Sequence, residues 1–191
     1  MDGGTRSFWL LVVALLTASL VFGLGAEHRR RGVQTSDSSL VTGDVVTLVE
    51  VVDGDTLLVA KDDARVAVRI LGIKALDAKA PKDPMAQFGQ RSILELKRIL
   101  ADKPIRVLLN NPPKDPHGRT LAELFVDDQN VALELVRKGL VLVYTVYPFA
   151  SMSMYLQEQA HSRAERAGLW ASPEAATRAS LLSQEWSKRA E

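Results

Sequence analysis

The chain has 191 residues, 47% of them hydrophobic and 25% charged, with a formal net charge of +1 and no cysteine. That length allows one core-forming domain plus appendages, and the lack of cysteine excludes disulfides, thiolate metal centres and cysteine nucleophiles. Gly43 to Trp170 carries 17 Lys plus Arg and 17 Asp plus Glu, so it lacks the bulk basic excess that drives nonspecific nucleic-acid binding.

Phe8 to Ala26 (FWLLVVALLTASLVFGLGA) runs 19 residues without a charge, the length of a membrane-spanning helix. The competing reading is a signal peptide cleaved near the small residues Gly23 to Ala26. Against it stand the length of the apolar run and a preceding segment whose one basic residue, Arg6, is offset by Asp2. Residues 1–26 are therefore expected to form a transmembrane anchor, with a secreted protein as the alternative. Arg29, Arg30 and Arg31 follow at once. Three arginines after the span against one before it put the rest of the chain on a cytoplasmic or matrix-like side. Residues 27–43 read as this basic flank and a short polar linker.

The domain proper is expected over residues 44–170. Asp44 to Val52, Thr56 to Ala60 and Arg65 to Ile73 are strand-like runs separated by Asp and Gly turns, which predicts a three-stranded antiparallel meander. Pro84 to Leu100 places Phe88, Ile93, Leu96 and Leu100 at helical spacing, with Pro84 suited to a first turn. Ile105 to Leu109 is a fourth strand, Asn110 to Gly118 a proline-rich loop and Thr120 to Val126 a fifth strand. Val131 to Lys138 predicts a short helix stopped by Gly139. Leu140 to Tyr144 is extended, Ser151 to Ala167 is a third helix, and Leu169 and Trp170 pin its end to the core. Residues 171–191 make a charged amphipathic helix through Leu181, Leu182 and Trp186, free to pack on the domain or on a protein partner. The fold class is α+β: a five-stranded OB-type β-barrel with inserted and C-terminal helices, preceded by one transmembrane helix.

Five short motifs occur in order: Val52-Asp53-Gly54-Asp55-Thr56, Val68 to Ile73 (VRILGI), His117 to Ala122 (HGRTLA), Leu135 to Leu140 (LVRKGL) and Ala164 to Trp170 (AERAGLW). Together they resemble the staphylococcal nuclease (thermonuclease-like) family. The resemblance implies a Ca2+-dependent hydrolase of nucleic-acid phosphodiesters, in which two acids hold the metal, a glutamate serves as base and two arginines bind phosphate. A metal polarises the phosphoryl oxygen and helps supply hydroxide, and arginine forks stabilise the developing charge.

Carried over position by position, the resemblance makes Asp55 the first metal acid, Arg69 and Arg119 the phosphate arginines and Tyr147 a substrate-binding tyrosine. His117 and Thr145 take the places of two other tyrosines. The family pattern Gly-Ile-Asp-Ala-Pro-Glu is here Gly72-Ile73-Lys74-Ala75-Leu76-Asp77. Lys74 thus stands where the second metal acid belongs, Leu76 where the proline belongs, and Asp77 in place of the glutamate base. Ca2+ needs several oxygen ligands, and an ammonium adds repulsion of about 4 kcal/mol for each unit-charge pair 4 Å apart at an effective dielectric of 20. A base misplaced by roughly 1 Å costs about a hundredfold in rate.

Other roles compete at each position. Asp53-Gly54-Asp55 also makes an ordinary turn, Arg69 and Arg119 also serve as ion-pair partners of Asp55 and Asp77, His117 also reads as a solvated loop residue, and Asp83 is a candidate compensating acid. The expectation is a membrane-anchored domain with a degenerate metal site, a binding or accessory subunit of a membrane-associated assembly with weak or no nuclease activity. The alternative is an active metal-dependent endonuclease, requiring Ca2+ and nucleic acid.

Overall fold

The computed structural model describes residues 40–80 and 83–189. The expected anchor over residues 1–26 and the arginine cluster behind it lie outside them. Among the described residues no helix is long and apolar enough to cross a membrane.

Apolar strand-forming runs and turn chemistry build the first hairpins. Strands β1 (Val45–Asp53) and β2 (Thr56–Lys61) pair antiparallel across Gly54-Asp55, and the Asp53 carboxylate accepts the Asp55 N–H at 2.9 Å, the side-chain bond that makes Asp a turn former. Strand β3 (Ala64–Ile70) pairs with β2 from Lys61↔Ala64 to Thr56↔Arg69. This is the expected meander. Strands β5 (Ile105–Lys114) and β6 (Thr120–Val126) complete the barrel. β5 pairs antiparallel with β1 and β6, and β6 pairs parallel with β3 from Val68↔Thr120 to Ile70↔Ala122. The ring β1-β2-β3-β6-β5 therefore closes, which removes the sheet edges, as the OB-type expectation requires. The two-residue β7 (Gln129–Asn130) pairs with β6 outside the ring.

Two boundaries differ from the sequence expectation. The run Arg65 to Ile73 is not one strand. It breaks at Leu71-Gly72, where Gly72 has φ +76° and a Cβ would run into the Phe149 ring. Beyond the break, β4 (Ile73–Ala75) leaves the barrel and pairs antiparallel with β8 (Val141–Val143). β5, in turn, continues through Pro112 and Pro113 to Lys114 instead of ending at Leu109. Its far end meets β6 only at Lys114↔Thr120, after an irregularity, so the missing proline N–H groups interrupt no regular ladder.

The helices are α1 (Ala86–Leu100), α2 (Val131–Arg137), α3 (Met152–Ala164) and α4 (Pro173–Arg189), with a 3-10 turn at Gly168–Ala171. α1 starts two residues after Pro84. Asn130 caps α2 by accepting the Leu133 N–H at 3.1 Å. One core fills the barrel with Val46, Leu57, Val59, Val68 and Leu124 and continues under the helices through Leu96, Leu135 and Tyr155. A second core sets Met85, Phe88, Leu142, Leu169 and Trp170 against Ala175, Ala179 and Trp186 of α4. The C-terminal helix thus packs on its own domain, leaving Leu181 exposed.

Candidate functional site

Asp55 leaves the β1–β2 turn pointing inward, with 2% of its surface exposed. A buried carboxylate needs partners for its lone pairs, and Asp55 has them. Its Oδ1 lies 2.8 Å from Arg69 Nη1 and accepts the Thr56 hydroxyl at 3.1 Å. Its Oδ2 accepts the Ala75 N–H at 2.7 Å. Arg69 is buried as well. Its Nη1 also donates to the Asp55 carbonyl at 3.1 Å and its Nη2 to the Ile73 carbonyl at 2.7 Å. One guanidinium therefore ties the β1–β2 turn to the start of β4. Burial pushes the Asp55 carboxyl above its usual range, with Arg69 pulling it down and nearby Asp53 pushing it up. Burial likewise lowers the Arg69 pKa, opposed by Asp55. Desolvation works against both charges, and the short ion pair with its surrounding donors holds them.

Arg119 joins this set through Thr56. Its Nη1 donates to the Thr56 hydroxyl at 3.2 Å, and that hydroxyl in turn donates to Asp55. The acid that holds Arg119 is Asp115: Nε and Nη2 reach Asp115 Oδ2 at 2.8 and 2.7 Å. Asp115 Oδ1 also accepts the backbone N–H groups of His117 and Arg119. Burial alone would raise the Asp115 carboxyl, but the bonds from Arg119 and the His117 N–H hold it below the usual carboxylate range.

The substituted segment is arranged differently. Lys74, on β4, has a half-exposed side chain, and its Nζ is 4.0 Å from Asp55 Oδ2. Asp77 is exposed and turns back to accept the Lys79 N–H at 2.8 Å. Among the described residues it pairs with neither arginine, so the expected Arg119–Asp77 pair is replaced by Arg119–Asp115. Asp83 is engaged elsewhere: it accepts the Met85 N–H at 2.9 Å and pairs with Arg178 at 2.7 Å. Tyr147 is 59% exposed. Its ring meets Tyr144 at a centroid distance of 6.1 Å, and Tyr144 meets Trp186 edge-on at 5.0 Å. His117 is an exposed loop residue.

The structure thus brings Asp55, Arg69, Arg119 and Lys74 together and leaves Asp77 and Tyr147 outside their hydrogen-bond network. Sequence reading missed Thr56, Asp115 and the Ala75 N–H. The first two had a signal: Thr56 adjoins Asp55, and Asp115 sits four residues before Arg119 in a turn-forming loop.

The residues present do not fit Ca2+. The ion needs six to eight oxygen ligands, whereas Asp55 has both oxygens engaged by protein donors and an ammonium facing Oδ2. Among the described residues no group of three or more His, Asp or Glu is set to hold a metal.

A family model described as staphylococcal nuclease homologue matches residues 67–172. The match includes Arg69, Lys74, Asp77, Arg119 and Tyr147; Asp55 lies before it. A thermonuclease of Staphylococcus intermedius is 30% identical over 129 residues, covering 68% of this chain and 76% of that protein. An uncharacterized endonuclease of Haemophilus influenzae is 35% identical over 125 residues, covering 65% of each chain. Protein ParB of Escherichia coli is 30% identical over 181 residues, covering 89% of each.

Proposed function

The chain belongs to the staphylococcal nuclease family, and from that premise we propose that it is a binding or accessory module held at a membrane, with weak or no metal-dependent cleavage of nucleic acid. One observation carries this reading. The carboxylate of Asp55 is filled by Arg69, Thr56 and the Ala75 N–H, with Lys74 standing beside it. A second carboxylate at position 74 would attract a divalent ion; an ammonium there repels one. The apolar run Phe8 to Ala26 supports attachment to a membrane, and Arg29, Arg30 and Arg31 behind it support a barrel on the cytoplasmic or matrix-like side.

The second reading, an active endonuclease, draws on two facts. Asp55, Arg69 and Arg119 are gathered in one cluster, and two of the relatives named above are a thermonuclease and an endonuclease.

The test uses the full-length chain in detergent with labelled single-stranded DNA and Ca2+, Mg2+ or Mn2+. The accessory reading expects no cleavage above a metal-free control, and no Ca2+ binding by calorimetry. Robust metal-dependent cleavage that disappears in Arg119→Ala would overturn it. Lys74→Asp combined with Asp77→Glu is expected to confer Ca2+ binding that the parent lacks.

A further inference from the structure

We infer that α4 is a strap that fixes the segment carrying Lys74 and Asp77, so that docking of this helix sets the conformation of the candidate site. Three contacts bear on the segment: at its middle, just beyond it and at its near end. In its middle, Leu76 packs against the second core, to which α4 contributes Ala175, Ala179 and Trp186. The backbone there lies tight on α1: a Cβ at Gly89 would collide with the Leu76 carbonyl, and Gln90 Nε2 donates to the Ala78 carbonyl at 3.3 Å. Beyond the segment, Arg178 of α4 grips Asp83 at 2.7 Å while Asp83 accepts the Met85 N–H. At its near end, Trp186 packs edge-on against Tyr144, whose N–H donates to the Gly72 carbonyl at 2.9 Å.

The logic is one of replaced restraint. Leu76 stands where the family pattern has proline. A pyrrolidine ring fixes φ by covalent geometry; a leucine does not, so its conformation must be held by what it packs against. α4 completes the core that Leu76 packs against, through Ala175, Ala179 and Trp186. A helix of this length with few apolar residues keeps its shape mainly through the face it buries, so order in α4 and order in the segment are one cooperative unit. The family match ends at Ser172, one residue before α4 begins, so the strap lies outside the matched region. The same strap also reaches Tyr147 through Tyr144. None of this depends on whether the site cleaves or only binds.

Hydrogen–deuterium exchange of the full-length chain in detergent tests the coupling. Trp186→Ala is expected to speed exchange in residues 72–80 by about tenfold together with α4, while residues 56–70 of the barrel stay within about twofold of the parent. Trp186→Phe, which keeps an aromatic edge on Tyr144, is expected to restore residues 72–80 to within about threefold. Arg178→Ala cuts only the Asp83 contact and is expected to raise exchange there by about threefold with the barrel unchanged. The inference is overturned if α4 loosens in Trp186→Ala and residues 72–80 do not follow. It is equally overturned if residues 56–70 accelerate as much as residues 72–80 in both the Trp186→Ala and Arg178→Ala variants.

Discussion

Two charged clusters tie this molecule together, and they obey different physics. Asp55, Arg69, Thr56, Arg119 and Asp115 form one, in which the side chains of Arg69 and Asp55 are 9% and 3% exposed. The other spans α1, α2 and α3: Glu95 pairs with Arg98 and Lys138, Lys138 with Glu134, and Arg137 with Glu158. There Arg98 and Arg137 are 64% and 56% exposed. Removing one member of a buried pair strands an uncompensated charge and costs about 3–5 kcal/mol, whereas an exposed pair contributes about 0–1 kcal/mol. The difference gives Asp55 and Arg69 a structural role that holds whether or not the site cleaves. Arg69 holds the β1–β2 turn, β3 and β4 in register, so stability alone is sufficient reason to keep it.

Arg69→Ala removes one member of the buried pair. It is expected to lose about 3–5 kcal/mol in urea unfolding. A loss below about 1 kcal/mol would show that the pair is not the structural pin described. Asp115→Ala comes next, at about 1–3 kcal/mol by the same measurement, because it strips the half-buried Arg119 of two charge-assisted bonds.

Glu95→Gln is expected to cost about 1 kcal/mol at pH 7, and its pH dependence is more telling. The bonds from Arg98 lower the Glu95 pKa from 4.5 to about 2, with burial opposing and Lys138 helping. The folded state therefore holds this carboxylate ionised after the unfolded chain has protonated it. The stabilisation is complete above about pH 4.5 and is lost as the pH falls toward 2. Unfolding measured across that window is expected to show the parent and Glu95→Gln converging at the acid end. Lys74→Ala is the smallest effect, under about 0.5 kcal/mol, since its ammonium is half exposed and only 4.0 Å from Asp55 Oδ2. A cost equal to that of Arg69→Ala would place Lys74 inside the buried cluster.

Much of the fold could be read from the chain. Valine-rich, strand-like runs between Asp and Gly turns marked β1, β2 and β3, and helical spacing marked α1. The break at Leu71-Gly72 is not marked in the chain because Ile70 to Ile73 (ILGI) carries no polar side chain, and a short run of that kind does not show where a strand changes sheet. The Gly72–Phe149 contact that requires the break joins residues far apart in the chain. Glu123 was hidden for a similar reason. It lies in the strand run TLAELFV, yet it is buried and bonded to Asn130 at 2.8 Å, Ser151 at 2.9 Å and Tyr155 at 3.4 Å. All three partners come from later elements.

By itself the sequence determined the strand and helix pattern, the family to which the chain belongs and the substitution at Lys74, because turn residues, hydrophobic period and motif order are local properties of the chain. Tertiary structure decided what those residues touch. It gave Arg119 to Asp115 rather than Asp77, turned Asp77 away to Lys79, filled the Asp55 carboxylate with protein donors and packed α4 into the second core, which Leu76 also joins. Each of these depends on the approach of groups distant along the chain, and hydrogen-bond and ion-pair partners are fixed by distance and burial, which only the closed barrel and its packed helices supply.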